Sequence, residues 1–196
     1  MPMVNEKDTS QRSGITVRRM TSKRLNKLAL NYCKKYIVSS KRLSEYLLKR
    51  VYLEEKDSDK KKILSEEIQK ITNRMIEFGL VNDYEAASAK LRCNLKSGYA
   101  PAMAVSFAAK RACVDLELVE DILPEAIRDS FQKPCNDCIE EDIDDVLLAR
   151  LALKRRRRGP FRVSGRSVNT DKRDIGWLQR RGYTFDIIRK AMELSD

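Results

Sequence analysis

The chain has 196 residues, 42% hydrophobic and 35% charged, with only 7 glycines and 5 prolines, a mixture that favours helices around a thin core. It contains no histidine, which removes every His-dependent catalytic dyad or triad and the commonest zinc ligand. Its formal net charge is +11, and no apolar run approaches the length that spans a bilayer.

The distribution of charge says more than its total. Residues 150–190 hold 14 Lys/Arg and 3 Asp/Glu, a local +11. Residues 115–145 hold 12 Asp/Glu and 2 Lys/Arg, a local −10. The first 114 residues hold 24 basic and 12 acidic side chains. An acidic middle thus separates two basic ends, and basic segments attract polyanions, chiefly nucleic acid or an acidic protein groove. The absence of a hydrophobic leader at the N-terminus and the 5 cysteines without a disulfide framework predict a cytoplasmic, reducing environment.

Residues 1–21 are polar and without periodicity, which predicts a disordered basic arm. A first three-helix repeat is expected over 22–79. Leu25, Leu28, Ala29, Tyr32, Cys33 and Tyr36 form an amphipathic stripe. Ser39 is positioned to cap the next helix, which carries Leu43, Tyr46 and Leu47. The polar stretch from Glu54 to Lys62 reads either as a loop or as a charged helical extension. Leu64, Ile68, Ile71, Met75 and Phe78 then mark a third helix, which closes at Gly79.

A second repeat is expected over 80–123. Asn82 and Glu85 have capping-box spacing, Ala87, Leu91 and Leu95 share a face, and Gly98 closes the helix. Pro101 starts the next helix, and Asp115 is positioned to cap the last one. Residues 124–145 read as an acidic linker. Its Cys135-x-x-Cys138 lacks the second half of a zinc site, so no metal is assigned. A third repeat is expected over 146–196. Its first helix ends in Lys154-Arg155-Arg156-Arg157-Arg158 and Gly159-Pro160, and a basic loop follows from Phe161 to Asn169. Thr170 or Asp171 is expected to cap the next helix, and Thr184 the last.

One pattern occurs three times, at the end of each repeat's second helix: Leu47 to Tyr52, Ala108 to Cys113, and Leu178 to Tyr183, each with a central basic pair. Self-similarity of this kind marks tandem helical repeats. The pairs Lys49-Arg50, Lys110-Arg111 and Arg180-Arg181 either complement helix C-termini or form a shared basic edge; the two roles are compatible. No nucleophile with a base and orienting partner is indicated, and no phosphate-cradling glycine loop is present. The chain therefore reads as a non-enzymatic binding protein without a cofactor.

Gly79-Leu80-Val81-Asn82-Asp83, Gly98-Tyr99-Ala100-Pro101 and Arg111-Ala112-Cys113 follow, without a gap, the middle-repeat pattern of the bacterial regulatory protein family RecX, which the chain resembles. That pattern runs Gly, aromatic or Leu, Leu, Asp, Asp; then Gly-Tyr-Gly-Pro; then Lys-Gly-Ile. Asn82 replaces the first Asp, Ala86 and Lys90 stand where aromatics are usual, and Ala100 and Ala112 replace glycines, the marks of a divergent member. Arg181-Gly182-Tyr183 before a short final helix is a second point of likeness. The resemblance implies an all-α fold, an elongated, curved array of three tandem three-helix repeats. It implies a monomer that binds the RecA recombinase filament on single-stranded DNA, touching DNA directly or through RecA. Such binding limits ATP hydrolysis, strand exchange and coprotease activity. The residues expected to attract phosphates or acidic filament side chains are Lys110, Arg111, Lys154, Arg155, Arg156, Arg157, Arg158, Arg180 and Arg181. Competing expectations are a helix-turn-helix DNA-binding protein and a helical-repeat adaptor for another protein.

Overall fold

The computed structural model describes residues 20–131, 143–163 and 165–193. Every element among them is helical. The expected basic arm, for residues 1–19, and the Cys135/Cys138 pair with the acidic stretch 132–142 lie outside the described residues. None of the described helices is long and apolar enough to cross a membrane.

The helices fall into three units of three. The first contains α1 (Ser22–Lys35), α2 (Ser40–Glu54) and α3 (Ser58–Glu77). Thr21, Ser39 and Asp57 cap them, each side-chain oxygen accepting backbone N–H groups of the first turn. Asp57 resolves the polar stretch: α2 stops at Glu54 and a new helix begins at Ser58. Leu25, Ala29, Leu43, Leu47, Val51, Leu64, Ile68, Ile71 and Met75 meet in its core. Gly79, at φ +68°, closes α3 as expected, with Leu80 N–H returning to Met75 O at 2.9 Å.

The second unit contains α4 (Asp83–Lys96), α5 (Pro101–Ala112) and α6 (Leu116–Phe131). Asn82 accepts the Glu85 N–H and so caps α4. The buried Asn94 amide donates to Ala104 O at 3.0 Å, tying α4 to α5 and leaving no orphaned polar group on that side chain's donor end. The sequence suggested that helix formation ends before Pro124, but α6 runs through it for two more turns. Proline costs a helix about 3 kcal/mol. Here the apolar stripe Val119, Ile122 and Ala126 stays buried across that position, and burial outweighs the missing N–H bond. The acidic segment therefore starts as the outer face of a helix rather than as a linker.

The third unit contains α7 (Asp145–Arg155), a short 3-10 helix (Gly159–Phe161), α8 (Val168–Gln179) and α9 (Phe185–Glu193). Ala149, Ala152, Leu153, Trp177, Leu178, Ile188, Ala191 and Met192 fill its core. The cap of α8 is Ser167, not Thr170 or Asp171. Ser167 and Thr170 form a reciprocal capping box, with Thr170 three positions inside the helix. The expected loop from Phe161 to Asn169 is correspondingly shorter, because α8 begins at Val168.

Asp174 is fully buried. It accepts from Arg158 at 2.7 Å, from Arg162 at 2.9 Å and from the Gly159 N–H at 2.8 Å. Burial pushes its carboxyl up, but the Gly159 N–H and the Arg162 and Arg158 guanidiniums outweigh it and hold the group below the usual carboxylate value. A lowered folded pKa means that the stabilisation is complete above the ordinary carboxylate range and is lost as pH falls through the folded value.

Two predictions follow from this packing. Asp174→Asn breaks a buried ion cluster from one side, so the Tm should fall by roughly 5–15 °C at pH 7, about 2–4 kcal/mol. The gap from the parent should narrow as pH is lowered through the carboxylate range. Equal melting at pH 7 would remove the cluster from the fold's stability. Gly98 has φ +87°, and an added Cβ would sit 3.0 Å from Ala152 Cβ and 3.2 Å from the Trp177 ring, whereas one on Gly79 would meet nothing within 4 Å. Gly79→Ala should therefore cost only the backbone strain of about 1–2 kcal/mol, and Gly98→Ala clearly more in urea unfolding. Equal costs would mean that Gly98 is not a packing constraint.

Candidate binding surface

The sequence repeat becomes a repeated junction. At the first seam, the start of α2 meets the second unit. Ser39 Oγ donates to Ala112 O at the end of α5. Ser40 N–H and Oγ both donate to the Asp83 carboxylate, at 2.7 and 2.9 Å. Asp83 thereby places a negative charge on the N-terminus of a helix from another unit, where the dipole favours it. At the second seam, the start of α5 meets the third unit: Ala100 N–H donates to Arg181 O at 2.8 Å, just beyond the end of α8. In both cases the beginning of one unit's second helix docks on the end of the next unit's second helix. The basic pairs occupy those ends.

The structure separates the expected cations by what holds them. Arg181 is half-buried in the second seam, its guanidinium 3.8 Å from the Trp177 ring centroid and 5.4 Å from that of Tyr99. Its Nε donates to Ser97 O at 3.2 Å. Arg155 donates to Lys96 O at 2.6 Å and lies over Phe131. Together these two cations satisfy carbonyls at the C-terminus of α4, where positive charge is favoured. Arg158 is held by Asp174 and lies 5.2 Å from the Trp177 ring centroid. Arg155, Arg158 and Arg181 are therefore joints between helices.

The remaining members face solvent. Arg156 and Arg157 follow the end of α7, with Arg157 in the left-handed region at φ 51°. Arg180 is the C-cap residue of α8, and Lys154 lies 5.9 Å from the Phe161 ring centroid. Desolvation first, and then the charges of Arg156, Arg158 and Arg180, hold the Arg181 guanidinium below its usual value, against the pull of Tyr99. Arginines far apart in the chain, Arg156 and Arg158 on one side and Arg180 and Arg181 on the other, thus act on one another. Lys110 and Arg111 are exposed at the end of α5, at the first seam. The earliest pair sits in a unit with none before it, and there Arg50 pairs with Glu54 at 2.8 Å along its own helix.

Sequence reasoning quoted Asp83 only as part of the Gly79–Asp83 motif and did not single out Ser40 or Asp174. Asp174 did carry a signal. It lies four residues before Leu178 and three before Trp177, on the inward face of α8, inside a segment otherwise crowded with arginine. An acid on an apolar face among many bases is the pattern of a buried counter-ion.

No family model matches the chain. It is 25% identical over 179 residues to the regulatory protein RecX of Myxococcus xanthus, covering 90% of this chain and 88% of that protein. Its fold is similar to the crystal structure of RecX from Lactobacillus salivarius, with a TM-score of 0.56 at 18% identity, covering 88% of this chain and 94% of that one. The motifs at Gly79–Asp83 and Gly98–Pro101 lie on the turns that join its helices, and the chain is similar to RecX proteins along nearly its whole length, as a divergent relative.

Proposed function

We propose that the chain is a regulatory protein of the RecA recombinase. It binds the RecA filament on single-stranded DNA and limits its ATP hydrolysis, strand exchange and coprotease activity, without chemistry of its own. The likeness to RecX proteins supports the regulatory class. The observation that carries the interaction is the exposed group Arg156, Arg157 and Arg180. Arg156 and Arg180 both act on Arg181, Arg157 follows Arg156 in the chain, and none of the three is taken up by the Arg181 and Asp174 joints. A nucleoprotein filament is a dense polyanion, and cations presented on a rigid helical frame engage it at little ordering cost. Lys154, Lys110 and Arg111 extend the same attraction. Arg155, Arg158 and Arg181 support it by holding the frame.

The test is titration of the protein into a RecA ATPase assay on single-stranded DNA. The triple variant Arg156→Ala, Arg157→Ala, Arg180→Ala should keep the parent's Tm. It should need roughly ten-fold more protein for half-inhibition and show a flatter dependence on salt. Arg158→Ala, by contrast, should lower the Tm. Unchanged inhibition by the triple variant at every salt concentration would remove the cluster from the interaction. Tight, sequence-dependent binding to duplex DNA without RecA would replace this reading with the helix-turn-helix one.

A further inference from the structure

The first seam encloses a cleft that shares only Arg111 with the surface proposed above. The Tyr32, Tyr36, Ser39 and Arg42 side of the wall comes from the first unit, and Lys90 and Arg111 come from the second. Its volume is about 130 Å3, several times what one water needs. The space exists because Ala86 and Ala112, both buried, form part of the wall.

Three cations line this cleft. Arg42 is 3.7 Å from Glu45, the carboxylate that partly offsets it, and 3.9 Å from the Cys113 thiol. The nearby Asp83 is already committed to Ser40. Lys90 and Arg111 are exposed and have no hydrogen-bond or ion-pair partner among the described residues. Beside them is an aromatic stack. Tyr46 and Tyr32 are stacked at 4.1 Å, and Tyr36 leans on Tyr32 at 5.2 Å with its plane tilted by 56°. Tyr36 is the outermost ring of the three and is 48% exposed. Lys35 lies 5.3 Å from its centroid.

We propose that this cleft binds a phosphodiester group of single-stranded nucleic acid, with an adjoining base stacked on Tyr36. Arg42, Lys90 and Arg111 supply the charge and the donors that a phosphate recognises. A ring braced on one side by Tyr32, itself stacked on Tyr46, offers a base an exposed aromatic face. An acidic peptide would satisfy the cations but carries a ring only where its sequence supplies one, whereas every nucleotide has a base beside its phosphate. A duplex keeps its base faces stacked inside. The cleft exists only while the Ser39–Ala112 and Ser40–Asp83 bonds hold the units together, so an occupant bridges the seam. This site lies beyond the recombinase interaction proposed above and is tested without recombinase.

The experiment is fluorescence anisotropy of the full chain with a 5′-labelled thymidine oligonucleotide, across a salt series. The double variant Lys90→Ala, Arg111→Ala should bind roughly ten-fold more weakly at low salt. The slope of log affinity against log salt should fall by about 1.4, the value for two lost single-strand phosphate contacts. Tyr36→Ala should weaken binding roughly five-fold or more, and Tyr36→Phe should restore it, which separates stacking from a folding defect. Parent-like affinity and slope in the double variant would overturn the proposal. So would tighter binding to duplex of the same length, or displacement of the oligonucleotide by an acidic peptide at equal charge. Inhibition of RecA by the same variants is a separate readout, so that either reading can fail while the other stands.

Discussion

The structure depends on how one unit grips the next. Three helices of this length enclose a core of about ten side chains, too few for each unit to be secure alone. The seams supply the rest. At the second seam, Ala100 of one unit is buried in the core of the next, and its N–H is bonded to Arg181 O. The Arg181 side chain then turns back between Trp177 and Tyr99 to reach Ser97 O. The backbone and side chain of a single arginine thus serve both faces of the joint. Gly98 and Gly182 leave the space that this close approach requires, against Ala152 and Met103.

A cation held between aromatic rings is poorly hydrated, and Arg181 accordingly lies below its usual pKa. It remains charged, since arginine titrates far above neutrality. Its neighbours Arg156 and Arg180 stay at the surface. Arg158, by pairing with the buried Asp174, ties the turn after α7 to α8. Arginines that join helices thus stand beside arginines that face solvent.

The two seams share a layout and differ in chemistry. The first uses hydroxyls and a carboxylate, Ser39, Ser40 and Asp83, and leaves a cationic cleft with tyrosines along one side. The second uses a main-chain bond, two arginines on the α4 carbonyls and a packed tryptophan. Helix ends are where backbone groups lack intrahelical partners, so they are natural docking points between modules. Equivalent positions can then diverge, one seam closing tightly and the other keeping a cavity.

Read by itself, the sequence determined the helices and their grouping. Apolar spacing, Ser39, Asn82, Gly79 and Gly98 are local signals, and the capping bonds that answer them span only a few residues. It also located the basic pairs, because a repeated hexapeptide is visible without coordinates. Local signals failed where burial from outside the segment decided the outcome. Residues from 124 read as an acidic linker, yet the core face of α6 carries the helix through Pro124 to Phe131. The tertiary structure alone decided which arginine does what. Arg155, Arg156, Arg157 and Arg158 are neighbours of one residue type in the chain. Arg155 meets a carbonyl of α4, Arg156 and Arg157 meet solvent, and Arg158 meets a buried carboxylate brought from 16 residues away. Periodicity records which way a side chain points, but the partner waiting there is set by how the units dock.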